Sequence, residues 1–273
     1  MIEVGIHTGE RDIEKLINYC QKLDINAVCM HCQAIDGYQE NGVPDKDHLM
    51  TVQDLMMRAG KKVEVMIPTP LQIDVLSKTD EWESKVDEVC GTFEVLGSCE
   101  VKAMLLYNFM KAAEASEREE QWQLVINIYR RFTEQAEKSG VKIATHGHCL
   151  PEYLIWNFDS ISRLLQAADS PFNGWTYDPG ILLLAQDDPY ETVEKVKGRI
   201  PFAHARDVLG DWRMWDEVFL GRGNVDFPKV LQLLQDADFD GLICPEHLGL
   251  DGQGRENREA MAVKLLKEQL GTK

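Results

Sequence analysis

Positive charge is scarce in this chain. Against 46 Asp and Glu stand 29 Lys and Arg, a formal net charge of -17, so a phosphate backbone is repelled everywhere except in a local pocket and general nucleic-acid binding is not expected. Long apolar runs are missing too. None approaches the roughly 20 residues that a membrane span needs, and Met1-Ile2-Glu3-Val4 passes straight into a strand with no basic leader. The expectation is a cytoplasmic protein with no membrane partner. No Gly-x-Gly-x-x-Gly turn follows the first strand, which weakens the dinucleotide-binding form of an open sheet. Seven cysteines are spread without a framework, as reduced thiols are. Cys29-Met30-His31-Cys32 contains a C-x-x-C, but Cys90, Cys99, Cys149 and Cys244 offer no second pair at similar spacing, so a structural zinc site is not expected. No linker or low-complexity segment interrupts the 273 residues, and a single domain over 1–273 is expected.

What is present is an alternation of short apolar runs and helical stripes. A strand at Val4–Ile6 is followed by Ile13, Leu16, Ile17 and Cys20, spaced as one helix face. Ala27–Met30 precedes a helix with Val52, Leu55, Met56 and Ala59 on one face, and Val63–Ile67 one with Trp82, Val86, Val89, Phe93 and Leu96. Ala103–Tyr107 leads to the longest helix, through Trp122, Val125, Ile126, Tyr129 and Phe132. Val141–Thr145, Trp175–Tyr177, Ile200–Ala203 and the run from Gly241 complete the strands, with a terminal helix from about Arg255 to Leu270. Glycines at 60, 97, 140, 198 and 241 fall where left-handed helix ends belong. Eight strand and helix pairs at this spacing predict an α/β fold, a (β/α)8 TIM barrel, with an open doubly wound sheet as the alternative.

In such a barrel the carboxyl ends of the strands share one mouth, where ligands bind. Four of those ends carry metal-type donors: His146, Asp178, His204 and Glu246, each about one strand and helix unit from the next. Two imidazoles and two carboxylates form a divalent-metal set that leaves positions for substrate oxygens, and two nitrogen donors favour manganese first, or cobalt, iron, nickel or zinc, over magnesium. Taken singly, Glu246 reads equally well as a helix cap and His247 as a packing residue. His7 and His31 end the first two strands and are candidates to line the same mouth, or simply polar tips. The long connection Ala205–Phe227 carries Asp211, Trp212, Arg213, Trp215 and Arg222. Its tryptophans either shield a bound substrate or cover a subunit contact, the latter consistent with a homo-oligomer.

The runs Asp169-Ser170-Pro171-Phe172-Asn173-Gly174, Arg199-Ile200-Pro201-Phe202-Ala203-His204-Ala205-Arg206-Asp207-Val208, Phe219 to Asp226, and Pro245-Glu246-His247 resemble the C-terminal half of the mannonate dehydratases, within the xylose isomerase-like TIM barrels. The resemblance covers somewhat under half of the chain. It implies His146, His204 and Glu246 as metal ligands, Arg206 as the group that holds an anionic or hydroxylated substrate, and His247 as an acid or base, with His148 as second choice. Two departures stand out. Mannonate dehydratases carry a cysteine ligand on the sixth strand and a His-Pro-Asp-Asp-Pro run on the fifth, where this chain has Asp178-Pro179-Gly180 and His146-Gly147-His148-Cys149-Leu150-Pro151. Asp178 is what the sugar isomerases and epimerases of the same barrels carry there. Those epimerases use glutamates on strands five and eight to exchange a proton, and His146 stands where the first would be. The expected function is therefore a metal-dependent lyase acting on a small sugar acid. A sugar isomerase or epimerase is the runner-up, ahead of a repair endonuclease or a non-catalytic metabolite-binding barrel.

Overall fold

A computed structural model describes residues 1–77, 81–250 and 254–271. Parallel strands form a ring in sequence order: Lys62–Ile67 pairs Ala27–His31 and Ala103–Tyr107, then follow Lys142–His146, Asn173–Tyr177, Phe202–Ala205 and Leu242–Pro245. The first strand closes it in two pieces. Glu3–Val4 pairs with the last strand and Ile6–Thr8 with the second. The break is Gly5, where a Cβ would sit 2.5 Å from the Ala27 carbonyl oxygen and 2.7 Å from Leu242 Cδ1; only a residue without one lets three strands meet there.

Two packed layers follow from the pleat. Inward residues such as Cys29, Val65, Ile67, Leu105, Phe202 and Cys244 fill the barrel, and outward residues such as Val28, Met104 and Ile143 bury against the helices. The two sulfurs of the C-x-x-C divide between these layers, Cys29 inside and Cys32 outside, and all seven cysteines are free thiols.

Three local readings change. The helix Lys46–Arg58 buries Leu49, Val52, Gln53 and Met56, while Leu55 of the expected stripe is 42% exposed. Gln53 takes the apolar place because its amide donates to the Val63 and Cys99 carbonyls at 2.8 and 3.1 Å and accepts from the Val63 N–H at 3.0 Å. Glycines 60, 140 and 198 are left-handed as expected, whereas Gly97 lies inside Glu81–Ser98 and Gly241 is not left-handed; Glu100 and Asp238 take that conformation instead. The connection after the seventh strand is no simple loop. Asp207–Asp211 and Met214–Val218 pair as an antiparallel hairpin standing over the mouth. Among the described residues, no helix is long and apolar enough to cross a membrane.

Candidate metal centre and active site

His146, Asp178, His204 and Glu246 converge, with donor atoms all within 4.8 Å of one another. Each is set by its strand end. Asp178 precedes the short helix Pro179–Leu184 and divides its two oxygens. Oδ1 accepts the Ile181 N–H at 2.9 Å as an N-terminal cap, while Oδ2 lies 3.3 Å from His146 Nε2 and 3.4 Å from His204 Nδ1. Gly180 is required here because a Cβ would meet Arg206 Cγ at 2.9 Å.

The tautomer of His146 follows from its neighbour. Nδ1 stands 2.6 Å from the Gly147 carbonyl oxygen, which can only accept, so Nδ1 carries the proton and Nε2 turns its lone pair toward Asp178. Burial lowers the His146 pKa, in keeping with a neutral ring. A lone pair facing a carboxylate oxygen across 3.3 Å is a repulsive contact unless a cation lies between them. His204 makes the same point. Its Nδ1 is 2.8 Å from Glu246 Oε2, yet neither ring nitrogen nor that oxygen has a partner in hydrogen-bond geometry although all three atoms are buried. Buried polar atoms left in contact but unbonded fit a metal cage. Burial opposes protonation of His204, but Glu246 and Asp178 outweigh it and push the imidazole up to about 9. Burial likewise disfavours ionised Glu246, and the His204 and Arg206 charges hold its carboxyl well below the usual range.

Around this cluster lie groups that bind or move protons. Arg206, buried, donates from Nη2 to Glu217 at 2.7 Å and from Nη1 to Asp178 at 3.4 Å, leaving Nε unpartnered. Its fork is thus partly engaged rather than wholly open to substrate. Glu217, from the hairpin, also meets His247 Nδ1 at 2.5 Å, and the other nitrogen of His247 lies 3.7 Å from Glu246 Oε1. His247 holds a left-handed backbone with φ 50°, an uncommon conformation for a residue with a Cβ. His148 lines the same cavity as His247. Burial, then the His146 and Arg206 charges, pull its pKa down to about 4, and its Nδ1 accepts the Leu150 N–H at 3.2 Å.

The cavity measures about 430 Å³ and includes Tyr107, His146, Arg206, Glu217, Glu246 and His247 in its wall. His7, His31 and Trp212 are not part of that wall. His7 packs beneath it, its ring 5.0 Å from that of His204, and Trp212 lies under the Arg213 guanidinium at 4.6 Å. The hairpin's other tryptophan, Trp215, does line it. Sequence reasoning passed over Tyr107, whose hydroxyl donates to Glu246 Oε1 at 3.0 Å, and Glu217. The first was visible as the last residue of a strand beside that of His146; the second needs the hairpin register.

A (β/α)8 barrel with two imidazoles and two carboxylates gathered at its mouth is the arrangement in which a divalent ion could be held. A model of the xylose isomerase-like TIM barrel family matches residues 10–268, and the chain belongs to that family. It is similar to mannonate dehydratase 1 of Halalkalibacterium halodurans, 23% identical over 265 residues, or 90% of this chain and 68% of that protein. A mannonate dehydratase of Streptococcus uberis is 27% identical over 184 residues, 62% of this chain and 52% of that one. The chain thus spans about two thirds and about half of the lengths of these relatives. Among solved structures, mannonate dehydratase from Streptococcus suis serotype 2 superposes with a TM-score of 0.81 at 15% identity, covering 98% of this chain and 94% of that one. A D-tagatose 3-epimerase-like protein gives 0.75 at 20% identity, covering 98% and 97%. The IOLI protein, described with a binding zinc atom, gives 0.75 at 16%, covering 98% and 96%.

Proposed function

We propose that this protein is a divalent-metal-dependent lyase that removes water from a hydroxylated acid of the sugar-acid type, as the mannonate dehydratases are named for doing. The supporting observation is the convergence of His146, Asp178, His204 and Glu246, with both His204 nitrogens and Glu246 Oε2 buried and unpartnered. Bound there, a divalent ion of the manganese type would supply positive charge that holds substrate oxygens and offsets the negative charge developing as the proton beside the carboxylate leaves.

The chain's own residues do the rest. Arg206 lines the cavity, where its guanidinium meets the substrate carboxylate. His247, held through Nδ1 by Glu217, offers Nε2 as the base. His148 is the weaker choice for that role, because its low pKa makes it a poor proton acceptor at neutral pH. The hairpin and Trp215 shield the reacting carbons from water.

One observation favours a second reading, a sugar isomerase or epimerase. Asp178 occupies the sixth-strand position where the lyases carry cysteine. Against it, the fifth strand ends in His146 and not in a second glutamate able to work the opposite face of a carbon. Manganese-loaded protein incubated with aldonic acids and aldoses in deuterated water separates the two. A 2-keto-3-deoxy acid formed from an aldonic acid establishes the lyase. Deuterium entering an aldose or ketose, with no loss of water, establishes the other.

A further inference from the structure

His148 shares the cavity wall with Arg206, Glu217 and His247, and its surroundings fix it on three sides. It follows His146, the last residue of the fifth strand, by two positions. Its backbone N–H donates to the Ile155 carbonyl at 3.0 Å, where the returning loop passes so close to Gly147 that a Cβ there would meet the Ile155 oxygen at 2.6 Å. The ring stacks on that of Tyr153, with centroids 4.4 Å and planes 20° apart, and meets Phe109 edge-on at 5.7 Å. A ring packed in this way cannot turn over to exchange its nitrogens without displacing its neighbours.

The hydrogen bonds then settle which nitrogen carries the proton. Nδ1 accepts the Leu150 N–H at 3.2 Å. An amide N–H only donates, so Nδ1 is bare and the neutral ring holds its proton on Nε2. His146 is the reverse, with Nδ1 turned to the Gly147 carbonyl oxygen. Nε2–H of His148 can therefore donate but has no lone pair with which to take a proton from carbon, and the lone pair of Nδ1 is engaged within the loop. A fixed donor of this kind complements an oxygen that accepts. Resting on the lyase reading, in which Arg206 meets the carboxylate, we propose that His148 binds and selects the substrate by donating from Nε2 to a hydroxyl oxygen of the sugar acid, and transfers no proton.

Two measurements test this. Nitrogen-15 spectra of chelator-treated protein with labelled histidine should contain a ring protonated on Nε2 at neutral pH whose signals vanish in His148→Gln. Titration calorimetry of the manganese-loaded protein with mannonate and gluconate is the second. His148→Phe, which fills the same place without a donor, should weaken binding about tenfold, while His148→Gln, whose amide still donates, should stay within about threefold of the parent. A His148 protonated on Nδ1, both variants binding like the parent, or both weakening equally would each overturn the proposal. So would turnover lost in both variants at unchanged affinity, the mark of a proton carrier. Failure of the lyase reading shows differently, as binding of aldoses in place of aldonic acids. The two variants are then read on the aldose, where the same order of affinities is expected, and binding of neither class would overturn both.

Discussion

At the scale of single residues, the site is organised by which atoms already have partners. Tyr107 is the clearest case. Its hydroxyl occupies Glu246 Oε1, which leaves Oε2 turned to His204. On the proposed metal reading, Tyr107→Phe should leave the fold intact and weaken manganese binding by about tenfold or more, the usual effect of removing an outer hydrogen bond from a metal ligand, read by calorimetry. Unchanged affinity would show that Glu246 is oriented by its strand alone. Glu217 acts on the other side. It fixes Nδ1 of His247 and one arm of Arg206, so Glu217→Gln should disturb the His247 tautomer, visible in nitrogen-15 spectra of labelled histidine, without changing manganese affinity. A shift in both readouts would mean that Glu217 helps to assemble the metal site itself.

At the scale of elements, several residues that carry the resemblance to mannonate dehydratases hold structure together and do no chemistry. Arg199 lies at the opposite end of the barrel, donating to the Asn173, Asp169 and Leu165 oxygens at 2.7, 2.8 and 3.2 Å. Asp207 is fully buried and accepts the N–H groups of Val208, Gly221, Gly223 and Val225 at 2.8 to 3.0 Å. The Phe219 to Asp226 run is therefore the loop that this carboxylate gathers behind the hairpin. Asp207→Ala strands those amides in a buried place, and a loss of about 3 kcal/mol in urea unfolding is expected. A loss under about 0.5 kcal/mol would mean that water replaces the carboxylate.

At the scale of the whole molecule, the proposed metal would be linked to stability. An ion that binds only the folded chain adds about 2.7 kcal/mol at a hundred times its Kd, so chelator-treated protein should melt at lower temperature and recover with manganese more than with magnesium. Equal recovery with both would argue for a site built of oxygens. On the last helix, Glu259 is partly buried and accepts the Tyr19 hydroxyl at 2.8 Å. Burial raises its pKa above 4.5 despite that bond. A carboxyl raised on folding favours the native state while protonated, and that contribution is lost as pH climbs through the raised value. Glu259→Gln should therefore melt higher than the parent at neutral pH, and the gap should close in acid. A gap constant across pH would assign the effect to packing.

The sequence by itself determined the barrel, because apolar strand runs, helical stripes and their even spacing are local patterns that burial enforces wherever they occur. It also placed His146, Asp178, His204 and Glu246 at strand ends, since in a barrel position along a strand decides which end a residue reaches. Only the tertiary structure decided what stands between those ends. Glu217 reaches Arg206 and His247 through a hairpin whose register no hydrophobic period announces. Gln53 replaces Leu55 in the core through hydrogen bonds to two distant carbonyls. Trp215 rather than Trp212 lines the cavity, because Trp212 falls in the two-residue turn at the hairpin's tip and Trp215 on the strand that returns from it. Periodicity reports burial along one chain segment, whereas partners across segments are set by distances that exist only once the ring has closed.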